Sequence, residues 1–387
     1  MKIVARTGMT AQDDGDDMTA QPRPFTIAIP QSQLDDLKTR LALTRFPEKE
    51  IVEDWDQGIP LRYVQDVAAY WANGYDWRRC EAMLNAYPQF LIEIDGLDIH
   101  FLHIRSANPA ARPMILTHGW PGSVLEFINV IGPLSADYHL VIPSLPGYAF
   151  SGKPTTPGWD IGHIATAWDQ LMRAIGYDRY FAQGGDWGAA VTDAIGQQNR
   201  GACAGLHVNM VIARPDPAML ESPSEREQAG LARMGWYQSK DNGYATQQRT
   251  RPQTLGYGLA DSPVGQMAWI LEKFHGWSDC DGNPESVFSR DHLLDNVMLY
   301  WLNNAAASSA RLYWHSFAMF PSEPVAISMG GTVAPFEIFR PSRRWAEARF
   351  SNIVHWGEPE HGGHFLAMER PDIFVHEVQT AFGKMSL

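Results

Sequence analysis

The sequence predicts an α/β protein. A mostly parallel sheet flanked by helices is interrupted late by a helical insertion and preceded by a helical extension. Three observations carry this. Short apolar runs alternate with amphipathic stretches over residues 96–213, the spacing of parallel strands with crossover helices. From about Arg214 to Phe320 that alternation gives way to a helical, Trp- and Tyr-rich pattern. Strand-like segments then return, and a last helix closes the chain.

The start, "MKIVARTGMTAQDDGDDMTAQPRP", has no apolar run of signal-peptide length, so residues 1–23 read as a solvated, disordered tail with neither signal peptide nor membrane anchor. "DDGDDM" lacks the spacing and the distal Glu of a calcium loop. Met18 offers a second translation start beside Met1. Residues 24–95 read as an N-terminal extension of helices. In "QSQLDDLKTRLALT", Leu34, Leu37, Leu41 and Leu43 fall near one face. "QFLIEIDGLDIHFLHIR" holds two β-like runs around Asp95-Gly96, a hairpin signal.

The first part of the core, residues 96–213, continues with strands in "PMILTHGWPGS" and "YHLVIPSLPGYAFS". "DIGHIATAWDQLMRAIG" is an amphipathic helix with Ile161, Ile164, Ala165, Trp168, Leu171, Met172 and Ile175 on one face, and Gly176 suits its C-terminal end. "RYFAQGG" is a strand, "DWGAAVTDAIGQQ" a helix and "AGLHVNMVI" a strand. Residues 214–322 form the helical insertion. Residues 323–387 complete the core with strands in "PVAISMG" and "NIVHWG" and the helix "PDIFVHEVQTAF".

The 387 residues carry a net charge of −13, which argues against nucleic acid and anionic membrane surfaces as partners. The three cysteines, Cys80, Cys203 and Cys280, are far apart and odd in number. They form no disulfide framework and no metal pair, so a reducing cytoplasm is expected. Fourteen Trp and seventeen Phe allow an aromatic-lined pocket for an apolar ligand.

Gly184-Gly185-Asp186-Trp187-Gly188 stands between a strand and a helix. It has the frame of a nucleophile elbow, G-x-S-x-G, with aspartate at the nucleophile position. The alternative for Asp186 is a plain helix N-cap. "HGWPGS", His118 to Ser123, ends another strand, where hydrolases of this architecture take one oxyanion-hole N–H. The residue after the nucleophile supplies the other. Those donors are Trp120 and Trp187, since Pro121 has no N–H. In "EHGGHFLAMERPDIF", His364 precedes the last helix and suits the base, with His361 as the alternative. Glu360, His361 and His364 lack the i,i+4 helical spacing of the common zinc motif, so no metal is expected. The orienting acid should lie among Glu323, Glu337, Glu347, Glu358 and Glu360; Glu337 follows a strand-like run.

These motifs together resemble the microsomal-type (juvenile-hormone-type) epoxide hydrolases of the α/β-hydrolase superfamily, from about Phe25 to Phe382. "TRFP" at Thr44–Pro47 resembles the family's N-terminal segment. "HGWPGS", "PSLPGYAFS" and "GGDWG" match core motifs, and Arg249–Trp277 resembles the lid. "APFE" and "GGHF" resemble the segments carrying acid and base. The resemblance implies an α/β-hydrolase fold with a lid, Asp186 as nucleophile, His364 as base and Glu337 as its acid. It also implies two lid tyrosines that hold and protonate the epoxide oxygen: Tyr244 in "NGYATQQ" and Tyr313 in "SSARLYWHS". Tyr237, Tyr257 and Tyr300 are their competitors. The chain lacks the membrane anchor of vertebrate members, which implies a soluble, bacterial-style enzyme.

The chemistry explains the aspartate. An epoxide has no carbonyl and needs backside attack at an sp³ carbon. A carboxylate is ionised at neutral pH without a base, since aspartate ordinarily titrates near 4. The expected partners are water and an apolar epoxide, aryl epoxides among the candidates, with no cofactor; a homodimer is left open. The rival on the same fold is a haloalkane or haloacid dehalogenase, which needs a halide cradle and no tyrosine pair. A non-catalytic ligand-binding homologue is the third reading.

Overall fold

The computed structural model describes residues 21–317 and 323–387. "DDGDDM", Met18 and the end of the insertion lie outside them, as does all but the last three residues of the tail. Among the described residues nine strands form one sheet. Its order is β1 (Arg23–Phe25), β2 (Gln89–Ile94), β3 (Leu97–Ile104), β5 (Tyr138–Pro143), β4 (Arg112–Thr117), β6 (Tyr180–Gly184), β7 (Cys203–Val208), β8 (Met329–Thr332) and β9 (Ile353–Gly357). The first three neighbour pairs are antiparallel and the rest parallel. The hairpin pairs Ile94 with Leu97. Asp95 (φ 49°) and Gly96 (φ 76°) both take the positive φ that a tight I′-type turn requires.

Three local readings differ. The edge strand β1 has only three residues and no alternation to signal it; it exists because β2 offers an open edge. The strand expected in "PVAISMG" falls later, at Met329–Thr332, and Val325 makes only an isolated bridge to Phe350. Its glycines carry no β signal but are needed: a Cβ on Gly330 would collide with Ala381. Leu43 lies just past the helix Gln31–Ala42 and is 73% exposed, while Leu37 and Leu41 carry the buried face.

Helices cover both faces of the sheet. Leu206 meets Gly196 of helix Trp187–Gln198, whereas the next residue, His207, contacts Phe382 of helix Pro371–Gly383. Consecutive strand residues point to opposite faces, so these helices do too. Helix Ile161–Ala174 buries Ile161, Ile164, Ala165, Trp168, Leu171 and Met172. It ends in a Schellman turn: Tyr177 N–H reaches Met172 C=O at 2.9 Å, with Gly176 at φ 90°. Trp168 satisfies its buried N–H on Thr117 Oγ1 at 3.0 Å.

Among the described residues, the insertion between β7 and β8 holds six main helices: Glu225–Trp236, Gly243–Thr250, Pro252–Asp261, Pro263–Trp277, Arg290–Trp301 and Ala306–Ser316. The N-terminal helices Leu61–Asn73 and Trp77–Asn85 grip it. Tyr75 Oη and Arg79 both bond the buried Asp295 carboxylate at 2.7 Å, and Tyr70 Oη bonds Asp291 at 2.8 Å. No helix among the described residues is long and apolar enough to cross a membrane.

Candidate active site

Strands β4, β6, β8 and β9 run parallel, so the loops leaving their carboxyl ends gather at one edge of the sheet. Open α/β sheets bind ligands at that edge. The loop after β4 brings His118–Ser123, that after β6 brings Asp186, that after β8 brings Glu337 and that after β9 brings His364.

Asp186 sits at φ 51°, ψ −126°, a backbone conformation that costs a non-glycine residue about 1–3 kcal/mol. Its neighbours make the turn feasible. A Cβ on Gly184 would strike the Gly188 carbonyl, and one on Gly188 would strike the Thr117 carbonyl. The Asp186 side chain does not cap its own helix. Its Oδ1 instead accepts the Trp120 N–H at 2.8 Å. Trp187 opens the helix Trp187–Gln198, whose positive end therefore lies at the carboxylate.

The Trp120 loop is clamped from the insertion. Asn296 Nδ2 donates to Pro121 C=O at 2.7 Å, Ser123 Oγ donates to Asn296 Oδ1 at 2.8 Å, and Tyr300 Oη donates to Gly122 C=O at 2.7 Å. The Trp120–Pro121 peptide is cis. His118 lies beneath and accepts the Leu145 N–H at 3.2 Å; burial pushes its ring down to about 4, so it stays neutral.

His364 stands beside Asp186, its Nε2 3.4 Å from Oδ2. Its Nδ1 donates to Glu337 Oε1 at 2.7 Å, and the same oxygen accepts the Ile338 N–H at 2.7 Å. Glu337 is fully enclosed. Burial alone would lower the His364 pKa. The Glu337 and Asp186 carboxylates reverse this and hold the ring well above its ordinary value. The glycine before it has a purpose: a Cβ on Gly363 would strike the Trp277 carbonyl, which accepts the His364 N–H at 2.9 Å.

The other candidates lie elsewhere. His361 is exposed, its Nδ1 3.5 Å from Asp279. Glu347 pairs with Arg343 and Glu358 with Arg226 at the surface, and Glu323 and Glu360 are exposed. Tyr257 is 72% exposed. Tyr244 and Tyr313 instead line a cavity of about 30 Å³ with Asp186, together with Trp187, Tyr237 and Phe317. Trp120 stacks on Tyr244 with centroids 4.9 Å apart, and Tyr313 meets Trp187 edge-on at 4.8 Å. Burial, reinforced by neighbouring phenols and Asp186, raises both tyrosines well above their ordinary pKa. They therefore remain protonated donors.

One titratable group escaped the sequence reading. Burial pushes the Glu126 carboxyl up to about 8, with the His364 charge opposing the rise and the Asp186 charge adding to it. A lone Glu within the apolar run "SVLEF" was the available signal.

This geometry has known counterparts. Residues 22–127 match the family described as epoxide hydrolase N terminus, and residues 112–252 match the alpha/beta hydrolase fold. A Stigmatella aurantiaca chain with a provisional epoxide hydrolase name is 48% identical over 94% of this chain and 85% of its own. The juvenile hormone epoxide hydrolase of Bombyx mori is 33% identical, covering 94% and 86%. The solved Aspergillus niger epoxide hydrolase superposes with a TM-score of 0.87 at 34% identity, over 95% and 97% of the two chains. The chain belongs to the epoxide hydrolases of the α/β-hydrolase fold, and its reaction is the hydrolysis of an epoxide.

Proposed function

We propose that the chain opens an apolar epoxide to a vicinal diol through an alkyl ester on Asp186. The carrying observation is the Asp186 carboxylate, with Oδ1 on the Trp120 N–H and Oδ2 facing the His364–Glu337 pair. Oδ1 becomes the ester carbonyl oxygen, and Oδ2 attacks the epoxide carbon. As the new C–O bond forms, the epoxide C–O bond breaks. The leaving oxygen takes a proton from Tyr244 or Tyr313, which stay protonated at neutral pH.

Esterification also prepares the second step. In the resting site two carboxylates hold a proton on His364. The ester is neutral, so one of them is lost and the ring releases its proton towards the tyrosinate. Neutral His364, oriented by Glu337, then deprotonates the water that attacks Cγ. The oxyanion forms on Oδ1, beside the Trp120 and Trp187 amides; one such donor contributes about 3 kcal/mol. Collapse passes the proton to the diol oxygen and restores Asp186.

The aromatic lining supports an apolar, aryl-type epoxide and water as the partners, and the helical insertion acts as a lid. Three buried free thiols support a reducing cytoplasm as the compartment. The test uses excess enzyme, limiting styrene oxide and ¹⁸O water. Label should enter the Asp186 peptide and be nearly absent from the first-turnover diol. His364→Gln should accumulate an adduct of the substrate's mass. Label in that diol with an unlabelled peptide refutes the covalent route.

A further inference from the structure

The lid contributes a third phenol, Tyr237, that the two-tyrosine scheme leaves without a task. Its hydroxyl lies 3.0 Å from the Tyr244 hydroxyl, and it lines the same cavity as Asp186. Among the described residues the two hydroxyls are each other's only side-chain hydrogen-bond partners. Each phenol carries one proton. If Tyr244 spends its proton on Tyr237, none is left for the epoxide. If Tyr237 donates, the Tyr244 proton is free to point into the cavity.

We propose that Tyr237 is a positioning residue for ring opening: it donates to the Tyr244 oxygen, aims the Tyr244 proton at the epoxide, and stabilises the phenolate left behind.

The local backbone is built to hold it there. Helix Glu225–Trp236 runs into one π turn, Tyr237–Asp241, closed by the Asn242 N–H on the Tyr237 C=O at 2.9 Å. Such turns recur at functional sites. The far end of this turn is fastened by a buried cluster: Asp241 accepts Trp277 Nε1 at 2.6 Å and Lys273 Nζ at 2.7 Å. The Lys273 ammonium, paired with Asp241 and Glu272 at 2.7 Å each, also lies 4.8 Å from the Tyr244 ring centroid and so packs this cluster against the Tyr244 ring. Tyr237 meets Phe339 edge-on at 5.4 Å on its other side. A chain of two donors polarises both members, which strengthens the terminal O–H. In the step itself, the Asp186–carbon bond forms and the epoxide C–O bond breaks. The alkoxide takes the Tyr244 proton, and the Tyr237 O–H bonds the resulting phenolate without leaving its own oxygen.

The inference rests on Tyr244 as proton donor. The test is single-turnover ring opening and ester hydrolysis in Tyr237→Phe, Tyr244→Phe and the double variant, across para-substituted styrene oxides. Tyr237→Phe should slow ring opening about 10-fold, as for one lost hydrogen bond to a charged group. Ester hydrolysis should not change. The loss should grow as the leaving oxygen becomes more basic, which a packing role would not produce. Adding Tyr237→Phe to Tyr244→Phe should cost nothing further. A fluorinated tyrosine at position 237 keeps the shape and serves if Tyr237→Phe misfolds; ring opening should then track hydroxyl acidity. Wild-type ring opening in Tyr237→Phe, equal loss in both steps, additive losses in the double variant, or indifference to fluorination each overturn the proposal. If Tyr244→Phe itself opens the ring at the wild-type rate, the underlying reading of Tyr244 fails instead.

Discussion

Replacing Glu337 by Gln removes one negative charge from a fully enclosed position while keeping an oxygen that can accept the His364 N–H. Two unit charges roughly 4 Å apart interact by about 4 kcal/mol at an effective dielectric of 20. The retained neutral hydrogen bond offsets part of that, because charge-assisted bonds are about twice as strong as neutral ones. A net loss of about 3 kcal/mol corresponds to roughly 100-fold in rate. The loss belongs to the step in which His364 gains a proton from water, so ester hydrolysis carries it. Ring opening depends on Asp186 and the tyrosines and should fall only a few-fold. Quench-flow with styrene oxide and intact-mass detection separates the steps: a fast burst of alkylated enzyme, then slow diol release. A variant that opens the ring slowly and accumulates no adduct would refute the role given to Glu337. So would wild-type ester hydrolysis.

Tyr244→Phe and Tyr313→Phe should each slow ring opening by about 10-fold or more, and the double variant should be nearly inactive, since the alkoxide then leaves unaided. Single-turnover rates at the wild-type level would make both residues packing. Glu126→Gln tests the electrostatics of the loop. The folded state raises this carboxyl from 4.5 to about 8, so its stability contribution is present below 4.5 and is lost as pH rises through 8. Between those values wild type should lose up to about 1.4 kcal/mol per pH unit relative to Glu126→Gln. The Tm of wild type should fall relative to that of Glu126→Gln from pH 5 to pH 8; a Tm difference independent of pH would show that Glu126 is not held protonated.

Elements whose information is local were legible in the sequence. Asp95-Gly96 must turn with positive φ, and the apolar face of residues 161–174 repeats at the helical period. Gly184 and Gly188 leave room for one strained residue between a strand and a helix, but that frame alone suits a helix N-cap as well, and Asp186 stood out only together with "HGWPGS" and "GGHF". Positions that depend on a distant neighbour were not legible by pattern. The three-residue β1 and the glycine-rich β8 exist only because an adjacent strand offers its edge, and neither contains an alternation. Glu337 is one of five glutamates in its region, and only the fold buries it against a histidine 27 residues away. The family resemblance pointed to Tyr244 and Tyr313, but the hydrogen bond between the Tyr237 and Tyr244 hydroxyls depends on a π turn that no periodicity announces. Glu126 looked like any lone acid, and only the fold desolvates its carboxyl within reach of the His364 and Asp186 charges. The sequence by itself determined which backbone turns and amphipathic faces could form, because sterics and periodicity act over a few residues. The tertiary structure alone decided which charged and hydroxyl groups meet, because desolvation and pairing depend on what the rest of the chain brings alongside.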